Sequence, residues 1–159
     1  MKIQNYCRLA FAGITDNEKF VRSAVAAFCS SLNPTLEEIN DIKTAVSEAI
    51  TNSIVHGYGE EVGEIVIEVY LLSDCVEIKI IDNGCGFDNI EKAMQPFYTS
   101  KPNDERSGMG FTLMQAFMDN VVVESKVGNG TMVTMQKRID KAIKQQSLNF
   151  FLVRDNEKF

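Results

Sequence analysis

A chain of 159 residues, 45% hydrophobic and 24% charged, has the make-up of one globular domain, which at this size buries about 68–70% of the surface its unfolded form exposes. Its net charge of −6 repels phosphate backbones, arguing against direct nucleic-acid binding and for a basic protein partner. No apolar run approaches the roughly 20 residues of a membrane span, and the start MKIQNYCRLAF lacks the basic stretch and apolar core of a secretory signal, so the expected compartment is the cytoplasm.

Residues 5–12, NYCRLAFA, place Cys7, Leu9 and Phe11 on one face and read as a half-buried strand. Thr15 with Glu18 has capping-box spacing and opens a helix carrying Phe20, Val21, Ala24, Val25 and Phe28, which Asn33-Pro34 ends. Thr35 with Glu38 repeats the signal before a longer helix through Ile39, Ile42, Val46, Ile50 and Ile54, with Gly57 as its stop. Residues 64–72 and 75–82 read as strands of a hairpin around Ser73-Asp74. From Asn83 to Gly110 the chain reads as a long functional loop with one short helical stretch, IEKAM. A helix follows from about Phe111 to Asp119, and the strands VVVESK and TMVTMQK close the unit around Gly128-Asn129-Gly130.

This order predicts an α+β fold, a two-layer α/β sandwich with helices on one face of a mixed, mainly antiparallel sheet, over residues 1–138. Residues 139–159 read as a C-terminal tail, helical or flexible, in which DNEKF at 155–159 repeats residues 16–20 without a physical reason. Cys7, Cys29, Cys75 and Cys85, with the single histidine His56, show no metal-ligand spacing. Three read as buried thiols, and Cys85, between two glycines, as the exception.

Three polar groups stand out. At about 100° per residue Glu48, Asn52 and His56 form one stripe opposite Val46, Ile50 and Ile54, either a solvated face or, with small Ala45, Ala49 and Ser53 flanking it, a surface that a ligand approaches closely. Asp82 lies on the same strand face as Val76, Ile78 and Ile80. It is either a turn starter in D-N-G-C-G or an acceptor for an exocyclic amine, with Gly84 and Gly86 letting the backbone near the ring. In R-S-G-M-G-F, residues 106–111, glycines precede an apolar helix, giving an ordinary turn or free amides that favour phosphate, with Arg106 beside them.

In this order and spacing the three resemble the GHKL ATPases of the gyrase and histidine-kinase type, with their Bergerat-type ATP-binding fold. Glu48-Ala-Ile-Thr-Asn52 is similar to the N-box, Asp82-Asn-Gly84-Cys-Gly86 to the first glycine box and Gly108-Met-Gly110 to the second; Thr131 resembles the late Thr that helps to hold adenine. VSEAITNSIVHGY (46–58), QPFYTSKP (95–102) and ERSGMGF (105–111) closely resemble the anti-sigma F factor family of endospore-forming bacteria, which are serine kinases related to the anti-sigma B kinases.

The resemblance implies a homodimer that binds a sporulation sigma factor, holds ATP or ADP with Mg²⁺, and phosphorylates a serine of an anti-anti-sigma partner. It implies Asn52 as the Mg²⁺ ligand, Glu48 as the group that orients or deprotonates the serine, and Arg106 on the γ-phosphate. Ser107, Gly108, Met109 and Gly110 would supply amides and Asp82 would select adenine. Loop 95–107, with Thr99 and Lys101, would be the lid. Arg22 resembles a partner-contacting position, and His56 is assigned a structural place at the helix end. The rivals are a nucleotide-gated sigma-binding module without transfer, an anti-sigma B-type stress kinase, a detached histidine-kinase domain and a gyrase-like ATPase.

Overall fold

In the computed structural model, which describes residues 2–95 and 109–140, five runs of alternating side chains become strands: β1 (Asn5–Ala12), β2 (Glu64–Leu71), β3 (Cys75–Asp82), β4 (Asn120–Ser125) and β5 (Thr131–Arg138). They form one sheet in the order β1-β2-β3-β5-β4. Every pairing is antiparallel, so the mainly antiparallel sheet expected has no parallel pair among the described residues. Period two then sorts the side chains. One row across the sheet is Leu9, Ile67, Ile80, Val133 and Val123, on the inner face. The adjacent row of Arg8, Glu68 and Lys79 faces outward, where Tyr6 and Tyr70 stack with ring centroids 6.2 Å apart.

The helices α1 (Thr15–Cys29), α2 (Leu36–Asn52), α3 (Ile90–Ala93) and α4 (Gly110–Phe117) complete the described elements, with a 3-10 turn at Ser30–Leu32 and a π-helical turn at Ser53–Tyr58. The core lies between sheet and helices, where Val21 and Val25 of α1, Ile42, Val46 and Ile50 of α2, and Met114 of α4 are fully buried against Ile67, Ile78 and Met135. Each such aliphatic side chain stabilises by about 1.5–3 kcal/mol. Ile139 is also buried, its N–H donating to the Asp74 carbonyl at 2.8 Å, and the Asp140 N–H reaches Glu38 Oε1 at 2.7 Å. The packed unit thus continues to the last described residue of this segment. None of the described helices is long and apolar enough to cross a membrane.

The two capping signals fare differently. At α2, Thr35 Oγ1 accepts from the Glu38 N–H at 3.1 Å and Glu38 Oε2 accepts from the Thr35 N–H at 2.6 Å, closing the expected box. At α1 the expected Thr15–Glu18 box is absent: Ile14 is the capping residue, makes no side-chain cap bond, and Thr15 already lies inside the helix. The Gly13 N–H is tied to the Gly63 carbonyl at 2.7 Å, and Glu18 turns toward Arg22, its Oε1 3.5 Å from Arg22 Nε.

Lys137, on the inner side of β5, links the layers. Its ammonium donates to Asp41 Oδ2 on α2 and to the Phe117 carbonyl at the end of α4, both at 2.7 Å. Thr35→Ala should cost about 1 kcal/mol of unfolding free energy, whereas Thr15→Ala should stay within about 0.5 kcal/mol. Urea unfolding of both variants checks the difference, and equal losses would mean that α1 is capped as its sequence suggests.

Candidate functional site

The polar stripe of α2 ends against the first residue of α4. A Cβ placed on Gly110 would lie 3.0 Å from Asn52 Oδ1 and 3.3 Å from Glu48 Oε2, so the Gly110 backbone closely approaches both side chains. Met109, the residue before the helix, makes no side-chain cap bond. The amides that open α4, with their partial positive charge, are therefore not capped by their neighbour and lie beside a carboxamide and a carboxylate. Burial first, and the Glu18 carboxylate second, raise the Glu48 carboxyl above its ordinary range.

Beyond Asn52 the helix does not stop at Gly57 as its sequence suggests. It widens into the π turn, in which the Gly59 N–H reaches the Ile54 carbonyl at 3.0 Å, and Gly59 with φ 67° ends it. The expected stripe at 100° per residue runs into this wider turn, and His56 lines the same cavity as Asn52, described below. Ser53, where the π turn begins, faces β3: the hydroxyl donates to Asp82 Oδ2 at 2.8 Å.

Asp82 is 3% exposed. Its Oδ1 accepts from the Gly84 N–H at 3.0 Å and the Thr131 N–H at 3.2 Å, so three donors from three segments hold one carboxylate. Neighbouring backbones close around it. A Cβ on Gly84 would fall 2.3 Å from the Gly57 carbonyl oxygen, and one on Gly130, at φ +79°, 2.0 Å from the Asp82 carbonyl oxygen. Cys85 fastens the same loop, with its N–H on the Gly57 carbonyl at 2.8 Å and its own carbonyl accepting from Gly128 at 2.7 Å.

Between the Asp82 end and the Gly110 corner lies a cavity of about 470 Å³, lined by Asn52, His56, Asp82, Gly86, Gly110 and Thr131 among others. That is the size of a small-molecule site, mostly apolar with a few fixed polar groups. Phe87 and Phe111, both lining it, meet edge to face with centroids 6.5 Å apart. The fold thus brings together Glu48, Asn52, Asp82, Gly84, Gly86, Met109, Gly110 and Thr131. Thr99, Lys101, Arg106, Ser107 and Gly108, with the lid assigned to loop 95–107 from Pro96 onward, lie outside the described residues. Arg22 sits on α1, paired with Glu18. Cys29 and Cys75 are buried, Cys7 half-buried and Cys85 exposed, and burial pushes the Cys29 thiol up to about 12.

Ser53, His56, Asp88, Asn89 and Lys92 are polar cavity groups that sequence reasoning passed over as functional. Ser53 had a usable signal: it falls on the inward side of the helix with Val46 and Ala49, where a hydroxyl needs a partner. No cluster of three or more His, Cys, Asp or Glu among the described residues suits a metal. The oxygen of Asn52 beside an open helix start suits instead a Mg²⁺ ion, which takes one or two protein oxygens and completes its shell with water and phosphate.

The chain matches the histidine kinase-like ATPase domain family over residues 15–137. It is 55% identical over 137 residues to the anti-sigma F factor of Clostridium beijerinckii, covering 86% of this chain and 96% of that protein. The anti-sigma F factor of Caldanaerobacter subterraneus subsp. tengcongensis is 50% identical over 141 residues, covering 89% and 99%. Among solved structures, the RsbU and RsbW domains of a Mycobacterium tuberculosis protein align with a TM-score of 0.63 at 21% identity, covering 86% of this chain and 33% of that one. The catalytic domain of histidine kinase ThkA aligns at 0.54 with 14% identity, covering 86% and 99%; these two likenesses concern the fold alone.

The raised Glu48 carboxyl has a consequence for stability. A carboxyl whose folded value lies above its unfolded one favours the folded chain below the unfolded value and loses that advantage as pH rises through the folded value. Ionised Glu48 therefore costs stability at neutral pH. Glu48→Gln should raise the urea midpoint at pH 7, with the gain gone once the pH falls below the ordinary carboxylate range. A midpoint at pH 7 equal to that of the unsubstituted chain would show that Glu48 carries no such strain.

Proposed function

Because this chain belongs to the histidine kinase-like ATPase family and is 50–55% identical to relatives that bear the name anti-sigma F factor, we propose that it is an ATP-dependent serine kinase that also holds a sigma factor. Its protein substrate is an anti-anti-sigma factor, inactivated by phosphorylation. The observation that carries this reading is the convergence of Glu48 and Asn52 on Gly110 at the start of α4, with an amine-accepting carboxylate, Asp82, at the other end of the same cavity. A homodimer is part of the reading, with Arg22 as a partner contact on α1.

Phosphoryl transfer asks a protein mainly to position groups and stabilise charge. Asp82, with Oδ1 and Oδ2 already fixed by three donors, keeps acceptor capacity for the exocyclic amine of adenine. The opening amides of α4, with Gly110 first, face the phosphate end. Asn52 would hold a divalent ion, which when bound would supply positive charge against the phosphates. Glu48, one turn before Asn52 and about 6 Å away along the helix, takes the proton of the incoming serine hydroxyl. The oxygen bonds to the γ-phosphorus while the bond from that phosphorus to the bridging oxygen breaks, leaving ADP. Its raised carboxyl makes Glu48 a better proton acceptor than a solvated glutamate, and protonation at low pH removes this role.

Glu48→Gln is expected to keep ATP affinity and to lose about 10²- to 10⁴-fold in transfer rate to the anti-anti-sigma protein, read with labelled ATP. Transfer at an undiminished rate would take the base role away from Glu48, and no transfer by the unsubstituted chain would leave a nucleotide-gated binding module. Asn52→Ala should weaken ATP binding in the presence of Mg²⁺ and abolish the gain that Mg²⁺ gives. A magnesium dependence unchanged in this variant would remove the metal assignment.

A further inference from the structure

The described lining of the cavity holds two acids, Asp82 and Asp88, and a single Lys or Arg, Lys92. A polyphosphate is the most highly charged part of the ligand proposed above, and a lining of this sign repels it unless a cation answers. Lys92 is placed by the fold at the rim. After the glycine loop the chain turns at Asn89, whose Oδ1 accepts from the Lys92 N–H at 2.8 Å and so caps α3. Ile90 and Met94, four residues apart, pack against the core and fix that single turn to the body of the protein. The lysine backbone is thereby held, with Ala93 beside it also lining the cavity. A flexible four-carbon stem lets the ammonium of an exposed lysine follow a phosphate without burying its own charge.

We propose that Lys92 is a nucleotide-binding residue, its ammonium contacting the diphosphate that ATP and ADP share. The choice of the diphosphate follows from the other end of the site. In the function proposed above, Glu48 and Asn52, which approach Gly110 on the α2 side, mark the γ-phosphate end, whereas Lys92 stands on α3, next to Asp88 and Asn89 after the glycine loop. A contact made to the shared diphosphate serves kinase and product complex alike. It therefore raises affinity for both nucleotides and contributes little to the transfer step itself. The inference rests on the cavity being a nucleotide site.

Equilibrium binding of ATP, ADP and adenosine to the full chain tests it, with Lys92→Gln and Lys92→Arg compared at low and high salt. Lys92→Gln should weaken ATP and ADP alike by about 5- to 10-fold and leave adenosine unchanged. Lys92→Arg should restore most of the affinity, and the loss should shrink as salt rises. Equal loss for adenosine would make Lys92 a mere support of the cavity wall, and loss confined to ATP would move its contact to the γ-phosphate; either overturns the proposal, as does unchanged binding. Failure of the unsubstituted chain to bind ATP at all would instead count against the nucleotide site, and is read in the same titration.

Discussion

A carboxylate at 3% exposure is tolerated only where hydrogen bonds replace the water it has lost, and Asp82 obtains them from three separate segments. Ser53 donates from beyond the end of α2, Gly84 from the loop after β3, and Thr131 from the start of β5. The arrangement works in both directions. Asp82 needs those donors, and each donor needs its segment brought to the end of the central strand. Removing the carboxylate would leave two backbone amides and a hydroxyl without their acceptor, a heavier loss than one ordinary hydrogen bond. The same constraint shapes the cavity, because the loop from Gly84 to Gly86 can close over one side only while it is fastened there.

The opposite end is held by a different kind of force. α4 carries no charged residue along Gly110–Phe117, and its grip on the domain comes from the buried Met114 and from Lys137 at its last carbonyl. Since the same ammonium pairs with Asp41, two turns before Glu48, the spacing of α2 and α4 is set far from the cavity and expressed at Gly110. Precision at the chemistry is thus supplied by a salt bridge whose two side chains are 15% and 18% exposed. A misplaced α4 would shift its opening amides relative to Asn52, and small displacements of that kind weigh heavily where geometry is most of the catalysis.

How much of this was legible depended on whether a residue's neighbours in sequence were also its neighbours in space. Asp82 was readable because period two alone assigns it to the face of Ile78 and Ile80. Glu48 and Asn52 were readable because four residues make about one helical turn. Thr35 with Glu38 was correct because a capping box is closed within its own turn. The identical spacing at Thr15 and Glu18 was misleading because Glu18 has a competing partner in Arg22. The π turn was invisible for a related reason. Ile54 and Val55 fit an ordinary helix, and nothing in the local pattern marks the widening from Ser53 to Tyr58. Ser53 itself carried a signal, an inward hydroxyl, but nothing local named its acceptor.

The charges at this site leave one apparent contradiction, an anion-binding cavity built with acids. Asp82 and Asp88 line it, while Glu48 stands at its corner with Glu18 close enough to bear on it. For a bare polyphosphate the field is wrong. It becomes favourable only if the ligand arrives already partly neutralised, and if cations are supplied from the rim rather than the floor. Under the proposed function, a divalent ion held by Asn52 would meet the first condition, since a carboxamide adds an oxygen without adding charge. For the second, the described lining residues offer Lys92. An acidic corner is then an advantage to the proposed base, because burial first, and the Glu18 carboxylate second, raise the Glu48 carboxyl. In the proposed function, selectivity for a metal-bound nucleotide and the basicity of Glu48 would thus share one electrostatic origin.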